Sequence, residues 1–450
     1  ILSHQRHSQA SWSRAAIALA VWGLAGLLPV FVSLLIFDPV ALYDQAFAFR
    51  MELRAAFPWL LADNVKQLGH FLGQQLGIAL LALTGILLLA RKALWPVLLP
   101  LMLWLVGSLL TVLFHSPLFA HHTIILLPPL ALLAGIGFAE TIALLQERRW
   151  AWSALGLAGV LAFSLALPGA VRANQTLREA SFGREAEAIT FLEQITHSSD
   201  NVISDNLLLP FMAGRQTPPP LGDVAQVAID SGRQTSERLI AISETYPVEA
   251  VANWALRLPH LDNYMKWVES NYLVRRVWDD YHVIYFGRRV PADRVPNRLD
   301  IQVGDSIELL GYDLGSDQIT AEDSEHGIAD KPQSLDVTLY WRMDTPVSED
   351  YTVFVQLLDA EGQLVTQHDG QPLYGYLSTS DWSPGEVIPD RHRLLLPPDL
   401  SSGRYQLITG MYTYETLERL PVKVANPQDA DAYPQDNDHI VTLTELEIGD

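Results

Sequence analysis

The chain has no cysteine among its 450 residues. That excludes disulfides, thiolate zinc sites and cysteine nucleophiles, and it fits an extracytoplasmic location. Charge is sparse, at 18% of residues, and unevenly placed. Residues 297–450 hold only 8 Lys and Arg against 29 Asp and Glu, a net of -21. Residues 173–296 are net -4 and residues 1–172 net +4. No basic stripe is present and the acidic part repels phosphate, which argues against a nucleic-acid partner. There is no Met at position 1 and no short apolar run with a cleavage site after it, so the expectation is a C-terminal part of a longer protein. No glycine-rich phosphate loop occurs either. The stretch "GIGFAE" at Gly135–Glu140 lies inside an apolar run, where glycines serve helix packing.

What is abundant is apolar sequence in long runs. A bilayer span needs about 20 residues, and five runs qualify: about 15–37, 70–90, 94–114, 122–145 and 150–170. The cations at Arg6 and Arg14, Arg91 and Lys92, and Arg148 and Arg149 fall on one side of such a bundle, the cytoplasmic side by the positive-inside rule. An outer loop at about 38–69, a short outer loop at about 115–121 and everything after the fifth run then lie outside. Pro128 and Pro129 fall inside the fourth run, which predicts a kink.

The outer loops carry polar chemistry. Between positions 41 and 60, Ala41, Leu42, Phe47, Phe49, Leu53, Phe57, Trp59 and Leu60 alternate with Asp44, Arg50, Glu52 and Arg54. That pattern predicts an amphipathic helix on a membrane surface. Arg50 and Arg54 are four apart, on one helix face, where two guanidinium groups suit a phosphate. The plainer reading is arginines snorkelling to lipid headgroups. His115, His121 and His122 flank the short loop. They can bind an anionic headgroup or end a helix, and no carboxylate within the loop completes a metal site.

The segment "HSPLFAHHTIILLPPLALLAG", with "FDPVALYDQAFAFR" before it, resembles the motif region of bacterial GT-C glycosyltransferases related to family 39 and the protein O-mannosyltransferases. The resemblance covers most of residues 10–290 in layout. It implies a polyprenyl-phosphate sugar donor, transfer on the outer face of a bacterial plasma membrane, and a glycan, lipid or protein acceptor. It places His121 and His122 near the lipid phosphate, His115 one turn away, and Arg50, Arg54 and Tyr43 on the outer loop covering the donor. The family's catalytic carboxylate sits in a first outer loop with no match here, so the base is expected upstream of Ile1 and no catalytic residue is assigned. No cofactor is implied with certainty; a divalent cation is compatible.

Residues 173–296 alternate helical and strand patterns: "LREASFGREAEAITFLEQI" and "SERLIAISETY" read as helices, "NVISDN", "VEAVANW" and "YHVIYF" as strands. This predicts a small α/β layer domain. Asp205, Arg215 and Asp223 stand out, and capping explains them without a further role. Residues 297–450 hold seven recurring short strands, from "SIELLGYDL" to "HIVTLTELEI", which predict a β-sandwich. Trp341 and Tyr412 read as strand residues, whereas Tyr374, Tyr376 and Trp382 fall in a loop and are candidates for stacking on a glycan. The expected fold is therefore a multi-domain membrane protein: a helical transmembrane bundle of about five spans (1–172), an extracytoplasmic α/β domain (173–296) and an extracytoplasmic β-sandwich (297–450). The expected function is that of an integral-membrane glycosyltransferase; the alternative is a membrane-anchored surface glycan-binding protein.

Overall fold

The computed structural model describes residues 31–180, 183–221, 224–315, 334–424 and 438–448, together with a few positions between 17 and 29. It divides into two compact units, Ile1–Arg178 and Glu179–Asp450, and the second contains position 297, where the sequence suggests a boundary.

The first unit is helical. Short segments α1 (Pro39–Tyr43) and α2 (Phe49–Ala56) flank a π-helical turn, so the single amphipathic helix expected there is broken into pieces. They lead to α3 (Leu61–Gln74) and α4 (Leu76–Arg91), bent by 90° at Gln75. Next come α5 (Trp95–Phe114), a 3-10 turn (Ala120–Leu126), α6 (Leu127–Gln146) and α7 (Trp150–Ala180). Three stretches are long and apolar enough to cross a membrane: Trp95–Phe114, Ala120–Gln146 and Ser153–Gln175; the bent α3–α4 pair makes a fourth if it is one span. Of the five expected spans, three or four are matched among the described residues. The first expected span lies mostly outside them, and the second is bent rather than straight. The two prolines expected to kink the fourth span instead lie in the first turn of α6, where a missing N–H leaves no intrahelical bond unmade.

Small residues set the packing of α4 on α6. A Cβ on Gly137 would fall 2.8 Å from the Gly85 nitrogen and closer still to the Leu81 carbonyl oxygen, and a Cβ on Gly85 would fall 3.1 Å from the Gly137 nitrogen. The backbones therefore meet directly, as at small-residue crossings of membrane helices. Around this seam Leu81, Leu89, Leu105, Leu126, Leu130 and Leu133 form the core of the unit.

The second unit combines a mixed sheet with two antiparallel ones. Helix α8 (Gly183–Ile195) buries Ala188, Phe191, Leu192 and Ile195, a one-face spacing. Strands β1 (Asn201–Ser204), β2 (Val248–Asn253), β3 (Tyr272–Val277) and β4 (Val283–Arg288) form a sheet in the order β1-β2-β4-β3, with β1 and β2 parallel. Helices α9 (Leu208–Met212), α10 (Gln226–Asp230), α11 (Ser236–Thr245) and α12 (Asp262–Asn271) complete this layer. Thr235 caps α11 by accepting the Arg238 N–H, which satisfies one of the end donors a helix leaves open.

Strands β5 (Arg298–Val303), β6 (Ile307–Leu314), β7 (Ser334–Met343), β8 (Tyr351–Leu358), β9 (Leu364–Gly370), β10 (Val387–Leu395), β11 (Gly403–Thr413), β12 (Val422–Val424) and β13 (Val441–Ile448) form two sheets, β10-β7-β6-β5-β12 and β13-β11-β8-β9. Their alternate residues face one shared core around Trp341, Val353, Val355, Leu407 and Met411, a sandwich-like arrangement. That core runs on into the mixed-sheet layer through Phe191, Leu192, Ala250, Trp254 and Phe286. The α/β layer and the sheets thus fold as one body.

Candidate functional site

The His115–His122 loop joins α5 to α6. An α-helix leaves its last carbonyls without intrahelical partners, and here side chains from α2 and α3 take them. Asn64 Nδ2, buried, lies 3.2, 2.9 and 2.8 Å from the carbonyl oxygens of Val112, Leu113 and His115. Trp59 Nε1 donates to the Leu113 carbonyl at 2.8 Å and stacks on Phe114. Arg54 Nη2 donates to the Phe114 carbonyl at 3.4 Å, and the Ser116 hydroxyl to the Phe57 carbonyl at 2.7 Å. The segment before α3 is therefore latched onto the end of α5.

The three histidines expected near an anionic headgroup come together. The rings of His115 and His122 lie 4.5 Å apart and those of His121 and His122 4.3 Å apart, edge to face, with Phe119 stacked on His121. His122 Nδ1 accepts the Phe119 N–H at 3.2 Å, which makes Nε2 the protonated nitrogen of the neutral ring. Chemically the cluster offers ring N–H donors at the end of an apolar helix, next to the Arg54 guanidinium on the Phe114 carbonyl. Among the described residues no group of three His, Asp or Glu is placed to hold a metal ion. Of the other expected donor-site residues, Arg54 sits beside the cluster through its bond to Phe114, and Tyr43 is exposed and stacked on Phe47. The Arg50 side chain lies outside the described residues.

In the second unit, Asp205 and Arg215 are structural. Asp205 is 1% exposed and accepts four backbone N–H groups: Trp254 and Ala255 on Oδ1, Arg257 and Leu258 on Oδ2. It ties the end of β1 to the turn after β2. Arg215 donates to the carbonyls of Glu193 and Thr196 at 3.0 and 2.8 Å and to that of Ala213 at 2.7 Å. Burial first, and then the neighbouring Arg393, lower its pKa. Arg393 of β10 reaches the same Glu193 and Thr196 carbonyls, and the Tyr374 hydroxyl donates to the Gln194 carbonyl at 2.7 Å. The C-terminal carbonyls of α8 are thus capped by side chains from elsewhere in the unit. Asp223 lies outside the described residues.

Of the three residues expected to stack on a glycan, Trp382 is corrected. Trp382 is 4% exposed within the sandwich core and has no ring face to offer. Tyr376 packs on Phe191 and Phe286, with 39% of its surface exposed. Tyr374 lines a cavity whose other walls include His368, Asp390 and His392. Those three residues were not singled out from sequence, although a signal exists: Asp390 and His392 share their face of β10 with Ile388 and Leu394, all four buried, so polar residues stand at apolar positions.

No family model and no curated protein matches the chain. Among solved structures, it is similar to the C-terminal domain of Wzt at 14% identity over 35% of this chain and 83% of that one, TM-score 0.20. It is similar to a Bacteroides uniformis β-glucuronidase at 12% identity over 33% of this chain and 15% of that one, TM-score 0.18. A β-glucuronidase of glycoside hydrolase family 2 gives 10% identity over 37% and 13%, TM-score 0.16.

Proposed function

We propose that this chain is part of an integral-membrane glycosyltransferase of the GT-C kind, which uses a polyprenyl-phosphate sugar and passes the sugar to a glycan, lipid or protein acceptor on the outer face of a bacterial plasma membrane. The observation that supports it is the histidine cluster: three imidazoles gathered at the end of a membrane-length apolar helix, beside Arg54, under a segment latched to that helix end. Breaking a sugar–phosphate bond leaves charge on the lipid phosphate, and N–H donors fixed in place beforehand stabilise it. In this reading the apolar helices carry the prenyl chain and the second unit stands outside the membrane. The test is binding of decaprenyl phosphate to the protein in nanodiscs, read by native mass spectrometry. H121A, H122A and R54A are each expected to weaken binding about tenfold, the loss of roughly one charge-assisted hydrogen bond. Wild-type binding in all three variants sinks the assignment.

A further inference from the structure

A cavity of about 340 Å³ opens in the second unit, between the end of α8 and the rim formed by β9, β10 and the turn at 371–375. One wall is a relay of buried polar groups. Asp390 and His392 are each 1% exposed. Asp390 Oδ1 accepts the Leu373 N–H at 2.9 Å, and Oδ2 lies 2.8 Å from His392 Nε2. His392 Nδ1 lies 2.8 Å from His368 Nδ1. An ionised carboxylate only accepts, so His392 Nε2 donates to it. With His392 as the neutral ring, its Nδ1 accepts, His368 Nδ1 donates to it, and His368 Nε2 is left as a lone-pair acceptor. Burial, and then the adjacent His392, lower the pKa of His368, which keeps that ring neutral near pH 7.

The opposite rim is strained. Leu373 and Tyr374 have φ of 50° and 60°, the left-handed region that side chains avoid, and Gly375 follows at 79°. Such a non-glycine residue is strained and persists where its surroundings over-determine it, as at ligand clamps. Here Asp390 holds the Leu373 N–H and the Gln194 carbonyl holds the Tyr374 hydroxyl. The strained turn presents Tyr374 and Gln371 to the cavity.

The lining selects for neutral donors. The Arg391 guanidinium is paired with Asp200 at 2.5 Å, so an anion finds its positive charge already matched. The side-chain amides of Gln194 and Gln371 make no hydrogen bond among the described residues, and His368 Nε2 and the Asp369 carboxylate add acceptors. Acceptors, two amides and a tyrosine in a concave pocket of this size suit a ring that carries several hydroxyls. We propose that this cavity binds one neutral saccharide unit, with His368 Nε2 accepting from a sugar hydroxyl and the Gln194 and Gln371 amides bracketing the ring.

The proposal does not rest on the transferase reading. Its test is saturation-transfer NMR on the intact protein in phosphatidylcholine nanodiscs, which avoid sugar-headed detergents. The probes are the methyl glycosides of glucose, galactose and mannose, and N-acetylglucosamine, each at about 10 mM, tenfold above a dissociation constant of about 1 mM. Saturation transfer to at least one probe is expected. It should fall at least tenfold in H368A and in Q371A, with circular dichroism unchanged, and persist in H368Q, which keeps an acceptor. If H368A loses its fold, Q371A on the exposed turn decides. No transfer to any probe, or equal transfer in wild type and Q371A, overturns the proposal.

Discussion

Gly135 and Gly137 lie on the same helix two residues apart and meet opposite surroundings. A Cβ on Gly135 has nothing within 4 Å, whereas a Cβ on Gly137 would lie 2.8 Å from the Gly85 nitrogen. Ordinary contact begins at 3.4 Å, so in G137A the α4 and α6 backbones must part by at least 0.6 Å, the difference of those two figures, and further to clear the Leu81 carbonyl. Overpacking of this kind costs about 1–3 kcal/mol. Alanine also gains roughly 1 kcal/mol over glycine in a helix interior, but this gain is common to G135A and G137A and cancels when the two are compared. The assay is reversible unfolding in mixed micelles with rising sodium dodecyl sulfate. G137A should be less stable than G135A by about 1–3 kcal/mol. G85A removes space from the same crossing, so the G85A/G137A double variant should lose less than the sum of the singles. Equal stability of G135A and G137A, to within about 0.5 kcal/mol, would refute a backbone-to-backbone crossing.

Two further outcomes follow from the second unit. D205N replaces one oxygen by an amide that faces two N–H donors, and with charge-assisted bonds at about 1.5–3 kcal/mol each it should destabilise by about 3 kcal/mol; at 2–4 °C per kcal/mol for a unit of this size, the near-ultraviolet melt should drop by about 6–12 °C, and an unchanged melt would contradict the four-bond geometry. Asp279 is held below the ordinary carboxylate range, at about 2, first by the His282 side chain and then by the Tyr281 N–H. A depressed carboxylate contributes stability that is whole above its unfolded pKa and is lost as pH falls through the folded one, so wild type should lose stability relative to D279N between about pH 4 and pH 2; parallel curves over that window would show that the contact does not form.

Periodicity carried much of the architecture. The runs that became α5, α6 and α7 are apolar all round, and the seven strand patterns after position 297 each coincide with a strand, because alternation is local. Three strands escaped notice, β3 among them because it continues straight on from the helical pattern of α12. β5 has the alternation in Leu299, Ile301 and Val303, but it directly follows the turn at Pro296, and β12 is three residues long. The bend between α3 and α4 was illegible because apolar composition continues across Gln74 and Gln75 without a proline. At the sites, the sequence could nominate His115, His121 and His122 by their crowding into one loop. It could not show that Asn64, 48 residues earlier than Val112, holds the end of their helix. Trp382 misled for the same reason: whether a loop aromatic is buried depends on residues far away in the chain. The Asp390–His392–His368 relay needs β10 and β9, end strands of two different sheets, to meet, and which sheet edges come together is not written into either strand alone.

The capping of α8 has a practical corollary. The sandwich supplies Arg393 to the Glu193 and Thr196 carbonyls, which Arg215 also reaches, its turn supplies Tyr374 to that of Gln194, and Phe191 and Trp254 are shared property of a single core. A cut at position 296 would leave a raw apolar face on both pieces, strip the Gln194 carbonyl of its Tyr374 donor and leave those of Glu193 and Thr196 to Arg215 alone. The shortest excised piece with a reason to be soluble and cooperative therefore starts near Glu179, and it would melt in one step rather than two.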